Sequence, residues 1–99
     1  MQFLRDYFSL MNNHQYEEGW ARLSGQFQNG MSEAEYVQFW SSVNKVEVQS
    51  MRVTSISDSE VYVYVEITYF YAVGAVTIGH TTYRLVPDAY GTSWLIAPN

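Results

Sequence analysis

Between Glu60 and Val73 the chain alternates regularly enough to dictate a strand. Val61, Val63, Val65, Ile67, Tyr69 and Tyr71 fall on one side, and Tyr62, Tyr64, Glu66, Thr68, Phe70 and Ala72 on the other. Side chains two apart share a face of a pleated strand, so this pattern demands a buried apolar face and a second, more polar one. The stretch outruns the usual strand of about five or six residues and needs comparably long neighbours. Val46, Val48, Met51, Val53 and Ile56 supply one before it, with a phase slip that predicts a bulge. Gly74 and Ala75 turn the chain into a return strand, and Pro87, Asp88 and Gly91 turn it again before a last short one. The expectation is four strands, over residues 45–57, 60–73, 76–87 and 93–97, joined as an antiparallel meander.

Ahead of the strands the period is helical. Phe3, Leu4, Tyr7, Phe8 and Met11 mark one face of a helix over residues 2–12, which Asn12 and Asn13 interrupt. Tyr16, Trp20 and Leu23 continue at helical spacing over residues 14–24, with Glu17 and Glu18 in the favourable first turn. Gln26 to Gly30 reads as a polar loop tethered by Phe27. Ser32 then stands three residues before Glu35, a capping-box signature, ahead of Tyr36, Phe39, Trp40 and Val43 in a third helix over 32–43. Three helices followed by a meander define an α+β chain with the helices packed on one face of the sheet.

One charge pair bears on strand register. A three-residue loop after Val73 would set Glu66 opposite Arg84 and Val65 opposite Leu85, a favourable ion pair on the polar face. A two-residue loop would place Arg84 opposite Val65 on the apolar face, where an unpaired guanidinium is costly. The odd loop is favoured. It assigns Val61, Val63, Val65, Ile67, Tyr69, Tyr83 and Leu85 to the inner face, and Tyr62, Tyr64, Glu66, Thr68, Phe70, His80, Thr82 and Arg84 to the outer one.

The phrases Tyr16-Glu17-Glu18-Gly19-Trp20-Ala21-Arg22-Leu23-Ser24, Tyr36-Val37-Gln38-Phe39-Trp40, and Tyr83-Arg84-Leu85-Val86-Pro87 through Trp94-Leu95-Ile96 resemble the nuclear transport factor 2 superfamily. Within it they resemble the small bacterial domains that accompany serine/threonine kinases and other membrane-linked signalling proteins. The resemblance implies a single domain over 1–99, a strongly curved, cone-shaped sheet with a pocket at its open end, and dimerisation through the outer sheet face.

Composition narrows the function classes. Five basic residues against ten acidic ones give a net charge of −5, which opposes binding to nucleic-acid backbones and anionic membranes. With no cysteine, thiolate catalysis and cysteine-ligated metal sites are excluded. The two histidines, His14 and His80, have no clustered carboxylate, so neither a metal nor a cofactor is expected. No apolar run approaches the roughly 20 residues of a membrane span, and the amino terminus lacks the pattern of a signal peptide. The compartment stays open.

The remaining chemistry is aromatic: three Trp, nine Tyr and five Phe. Trp20, Trp40, Tyr7, Tyr36, Tyr69 and Tyr83 are the candidate lining of a small apolar pocket, since their rings combine bulk with a polar tip. Tyr62, Tyr64, Phe70 and His80 are the candidate interface for a second copy or a partner protein. No catalytic residue is assigned. The leading expectation is a non-catalytic binding or dimerisation module; the alternative is a small-molecule isomerase or lyase using His80 or Glu66 as base, which a one-residue register slip would turn inward.

Overall fold

A computed structural model describes residues 1–99 as an α+β arrangement of four short helices and a four-stranded antiparallel sheet in the order β1-β2-β3-β4. The strands are β1 (Val43–Ile56), β2 (Val61–Tyr71), β3 (Val76–Pro87) and β4 (Trp94–Ala97). The helices are α1 (Gln2–Asn12), α2 (Tyr16–Trp20), α3 (Gly25–Asn29) and α4 (Glu33–Ser41).

Four helices replace the expected three. The helix expected over residues 14–24 stops at Trp20 because the chain beyond it is claimed by the sheet. Leu23 bridges Ile96 in parallel, with the Ser24 N–H donating to the Ile96 carbonyl at 2.8 Å and the Ile96 N–H donating to that of Arg22. Ser24 then starts α3 where a loop was expected, its hydroxyl accepting the Phe27 N–H at 3.2 Å. At α4 the capping box forms in full: the Ser32 hydroxyl accepts from the Glu35 N–H, and the Glu35 carboxylate accepts from the Ser32 N–H.

The sheet turns its alternating apolar face to the helices. Val61, Val63, Val65, Ile67 and Leu85 are buried there with Leu4, Tyr7, Phe8 and Met11 of α1 and Tyr36 and Trp40 of α4. In β1 the face turned toward the helices carries Val43, Val46, Val48 and Met51, continued by the exposed Val53 and Ile56, opposite Tyr71, Tyr69, Ile67, Val65, Val63 and Val61. Their spacing alternates between three and two, and each step of three coincides with a register shift. Three irregularities therefore replace the single expected bulge, each restoring the apolar phase and adding local twist.

The β2–β3 register also differs from expectation. Val61 faces Leu85, Tyr62 faces Arg84 and Glu66 faces His80, so Glu66 and Arg84 are not opposed. The loop has the expected length but lies earlier, because Tyr71 donates its N–H to the Ala75 carbonyl and Gly74 takes the positive φ of 95° that closes the turn. Moving the loop by two residues keeps the parity, so both faces hold the expected side chains. The ion partner of Arg84 is Glu60, with Nε donating to Oε2 at 2.6 Å, and an Arg84 terminal nitrogen also reaches the Pro98 carbonyl.

Asn12 has a role beyond ending α1. Its side chain clamps the β1 backbone, Oδ1 accepting the Val46 N–H at 2.8 Å and Nδ2 donating to the Val46 carbonyl at 3.0 Å. This satisfies both backbone groups of one residue on the outer edge of the sheet. Asn12→Ala is expected to destabilise the chain by about 1–3 kcal/mol in urea unfolding, and Asn12→Asp, which keeps only the acceptor, by less.

Candidate functional site

An apolar cleft of about 190 Å³ opens between α3, α4 and the inner face of the sheet. Its lining is entirely hydrophobic. Tyr7, Tyr36 and Trp40 form one side, Tyr69, Tyr83 and Ile96 come from the strands, and Leu23, Phe27, Met31 and Phe39 complete it. Five of the six residues expected to line a pocket are brought together. Trp20 is the exception: its ring packs edge-on against Tyr36 at 5.4 Å, outside the lining.

The rings brace one another. Trp40 meets Tyr7 edge-on at 6.3 Å and lies 6.3 Å from Tyr69, and Phe8 meets Tyr83 at 5.7 Å. Such edge-on contacts hold aromatic side chains in fixed orientations. Behind the wall the Tyr7 and Tyr36 hydroxyls lie 2.7 Å apart, and the Tyr36 hydroxyl also donates toward Met11 Sδ at 3.4 Å. Burial pushes the Tyr36 phenol up to about 12 and the Tyr7 and Tyr83 phenols higher still, with neighbouring tyrosines adding to the shift at Tyr7 and Tyr83. Burial raises Tyr69 as well. At neutral pH these four hydroxyls are uncharged hydrogen-bonding groups in apolar surroundings.

Gly19 makes the close packing behind Tyr36 possible. A Cβ there would collide with Met11 Cε and come within 2.7 Å of the Tyr36 hydroxyl oxygen. The sequence signal for this was a glycine inside a short helical run, an unfavourable choice unless backbone approach requires it. Leu23, Phe27, Met31 and Ile96 carried no comparable signal, because only the α3 turn and the Leu23–Ile96 bridge bring them to the cleft.

No carboxylate or imidazole lines the cleft. Glu66 and His80, the bases considered for catalysis, face each other on the opposite side of the sheet, and both are exposed. A larger depression of about 720 Å³ includes His14, Tyr16, Glu17 and Glu33, but it is a shallow surface groove whose charged groups stay in water. There His14 adopts a positive φ of 60°, and its Nδ1 lies 2.7 Å from the Tyr16 hydroxyl.

Tyr62, Tyr64, Phe70 and His80 lie on the outer face, but not as a bare apolar stripe. Arg52 covers the Tyr64 ring at 5.0 Å while His80 stacks on it at 5.6 Å, and Lys45 lies over Phe70 at 4.7 Å. Tyr62 donates to Glu60 at 3.3 Å. Cations over ring faces offset much of the cost of exposing them. The more exposed apolar groups on this face are Val76 and Ile78, which the sequence reading did not single out.

No family model matches the chain, and no curated protein matches it. Among solved structures it is similar to the solution structure of a SEC-C motif containing protein from Rhodopseudomonas palustris, with a TM-score of 0.72 at 10% identity over 96% of this chain and 72% of that one. At that identity the likeness establishes the fold alone. It also corrects the family expectation: this neighbour is a SEC-C motif protein, of a different fold from nuclear transport factor 2, so the phrases quoted above mark core aromatics and not membership of that superfamily.

Proposed function

We propose that the chain is a non-catalytic binding module whose cleft takes one small, neutral, largely apolar molecule. The observation that carries this reading is the lining: ten hydrophobic side chains, four of them tyrosines, around about 190 Å³. A dry cavity of about 150 Å³ suffices for benzene, so this volume suits a substituted single ring. A lining without a cation disfavours a carboxylate, which would lose its hydration without gaining a partner. The absence of a general base from the lining sets the non-catalytic reading above the isomerase or lyase alternative.

Titration with 4-methylphenol, followed by the indole NMR signal of Trp40, tests this. Saturable shifts with a dissociation constant of about millimolar or tighter are expected for a ligand of this size, with no comparable effect from 4-methylbenzoate. Met31→Trp, which fills the mouth of the cleft, is expected to weaken binding about tenfold. Equal binding of the phenol and the benzoate, or no saturable shift up to the solubility of the phenol, would overturn the proposal.

A further inference from the structure

The two long edges of the sheet are treated differently. β1 is protected: Asn12 occupies the Val46 backbone, three register shifts break the regularity of the strand, and Lys45, Glu47 and Arg52 lie along it. Irregularity and charge of this kind block strand addition. β3 has no such protection over its first half. β4 pairs with it only from Arg84 to Pro87, and Asn99 adds one side-chain bond to the Thr82 carbonyl at 2.9 Å.

The alternation of an antiparallel ladder identifies the free backbone groups. Tyr71 and Ala75 are hydrogen-bonded, so odd-numbered residues of β3 address β2 and even-numbered ones address the other edge. Arg84 and Val86 are placed to use theirs on Ala97 and Leu95, and the Thr82 carbonyl is taken by Asn99. The N–H and C=O groups of Val76, Ile78 and His80 are left facing outward. These residues are exposed, Ile78 at 79% and Val76 at 55%, and the run from Val76 to Thr81 holds no proline and no acidic or basic residue apart from His80.

We infer that this edge pairs with the same edge of a second copy of the chain, β3 against β3, about a two-fold axis at Ile78. The free groups are symmetric about Ile78, so an antiparallel copy sets Ile78 opposite Ile78 of the second copy and Val76 opposite its His80. Every outward backbone group of Val76, Ile78 and His80 then meets a partner. The same register sets Gly74 of the second copy, which has no side chain, level with Thr82 and Asn99 where β4 gives out. Thr77 falls opposite Gly79 of the second copy, and a side chain at Gly79 would meet nothing within 4 Å in one chain, so that side of the seam is open. The interface is isologous and closed, because the protected β1 edge offers no site for continued head-to-tail growth. Glu66 and His80, the exposed ionisable groups of the central strands, lie beside this seam, where the second copy presents Val76.

Solution mass measured from micromolar to millimolar concentration tests the inference, together with amide hydrogen exchange. The wild-type chain is expected to approach twice the 11.5 kDa of one chain, with exchange at Ile78 and His80 slowing as concentration rises. Ile78→Pro removes an outward N–H without touching the β2 ladder, and Ile78→Lys sets two ammonium groups against each other at the axis. Each is expected to weaken association about tenfold or more while leaving the circular dichroism spectrum unchanged. Should the proline variant fail to fold, the lysine variant and the exchange data decide. A mass of 11.5 kDa at every concentration overturns the inference. So does a dimer that survives Ile78→Lys together with free exchange of the Ile78 amide in the wild-type chain, a result that would assign association to the aromatic outer face.

Discussion

Between pH 10 and pH 12 the chain is expected to lose its fold cooperatively, because the tyrosines around the cleft cannot ionise while buried. Desolvation raises Tyr7, Tyr36, Tyr69 and Tyr83 above the ordinary tyrosine value of 10.0. In the unfolded chain the same phenols release their protons near that value. The folded chain therefore holds more protons over this interval, and stability falls as pH rises. The stabilisation is fully present below pH 10 and is lost as pH climbs toward the folded values, about 12 for Tyr36. Each proton held only by the folded state corresponds to about 1.4 kcal/mol per pH unit. Tyr7 and Tyr83, the more strongly shifted pair, together remove about 5 kcal/mol over two pH units, while Tyr36 and Tyr69, whose shifts a neighbouring tyrosine hydroxyl partly offsets, add a smaller amount. That loss is comparable to the whole stability of many small domains, about 5–15 kcal/mol.

Urea midpoints followed by circular dichroism across this range measure the effect. Tyr7→Phe keeps the ring and removes one titrating proton, so its stability curve is expected to fall less steeply above pH 10 and to start lower at neutral pH, since the Tyr36 hydroxyl loses its nearest partner. A flat stability profile from pH 9 to pH 12 would show that these hydroxyls are freely hydrated in the folded chain.

Trp40→Ala is expected to have an effect of similar size at neutral pH. Trp40 is 6% exposed, contacts Tyr7, Phe39 and Tyr69, and separates the cleft from the core behind it. Removing a buried tryptophan costs about 3–5 kcal/mol, part of it from the cavity left among neighbours that collapse incompletely. For a domain of this size the melting temperature should fall by about 12 °C or more. The enlarged cleft should also bind 4-methylphenol more weakly, since dispersion contacts across the gap are lost. Trp40→Phe, which retains a ring against Tyr7, is expected to recover a large part of the stability. A melting temperature unchanged in the alanine variant would contradict the role given to this side chain.

Legibility in the sequence followed the range of each interaction. The Ser32–Glu35 capping box spans one helical turn, and its donors and acceptors are adjacent whatever the rest of the chain does. The two faces of β2 were legible for the same reason, since parity survives a shift of the loop by an even number of residues. The partner of Arg84 was not. Glu60 and Glu66 both lie on β2 or at its start, and only the position of the Tyr71–Ala75 turn decides which of them the guanidinium reaches. The repeated three-two spacing of β1 was visible in the residues, yet its meaning emerges only beside β2, which supplies the row that each slip must rejoin.

The cleft divides in the same way. Tyr7, Tyr36, Trp40, Tyr69 and Tyr83 stood out as large rings on core-facing positions, because amphipathic periodicity is written into the residue order. Leu23, Phe27, Met31 and Ile96 join them only because the Leu23–Ile96 bridge ends α2, releases Ser24 to cap α3, and folds that short helix across the opening. Asn12 became a clamp on β1, and Val76 to His80 became an open edge, by the same kind of decision. Residue order determines propensity, phase and caps, since these act within a few positions along the backbone. Tertiary structure alone decides pairing, register and hollow space, because each depends on which distant backbone groups find partners and which remain free.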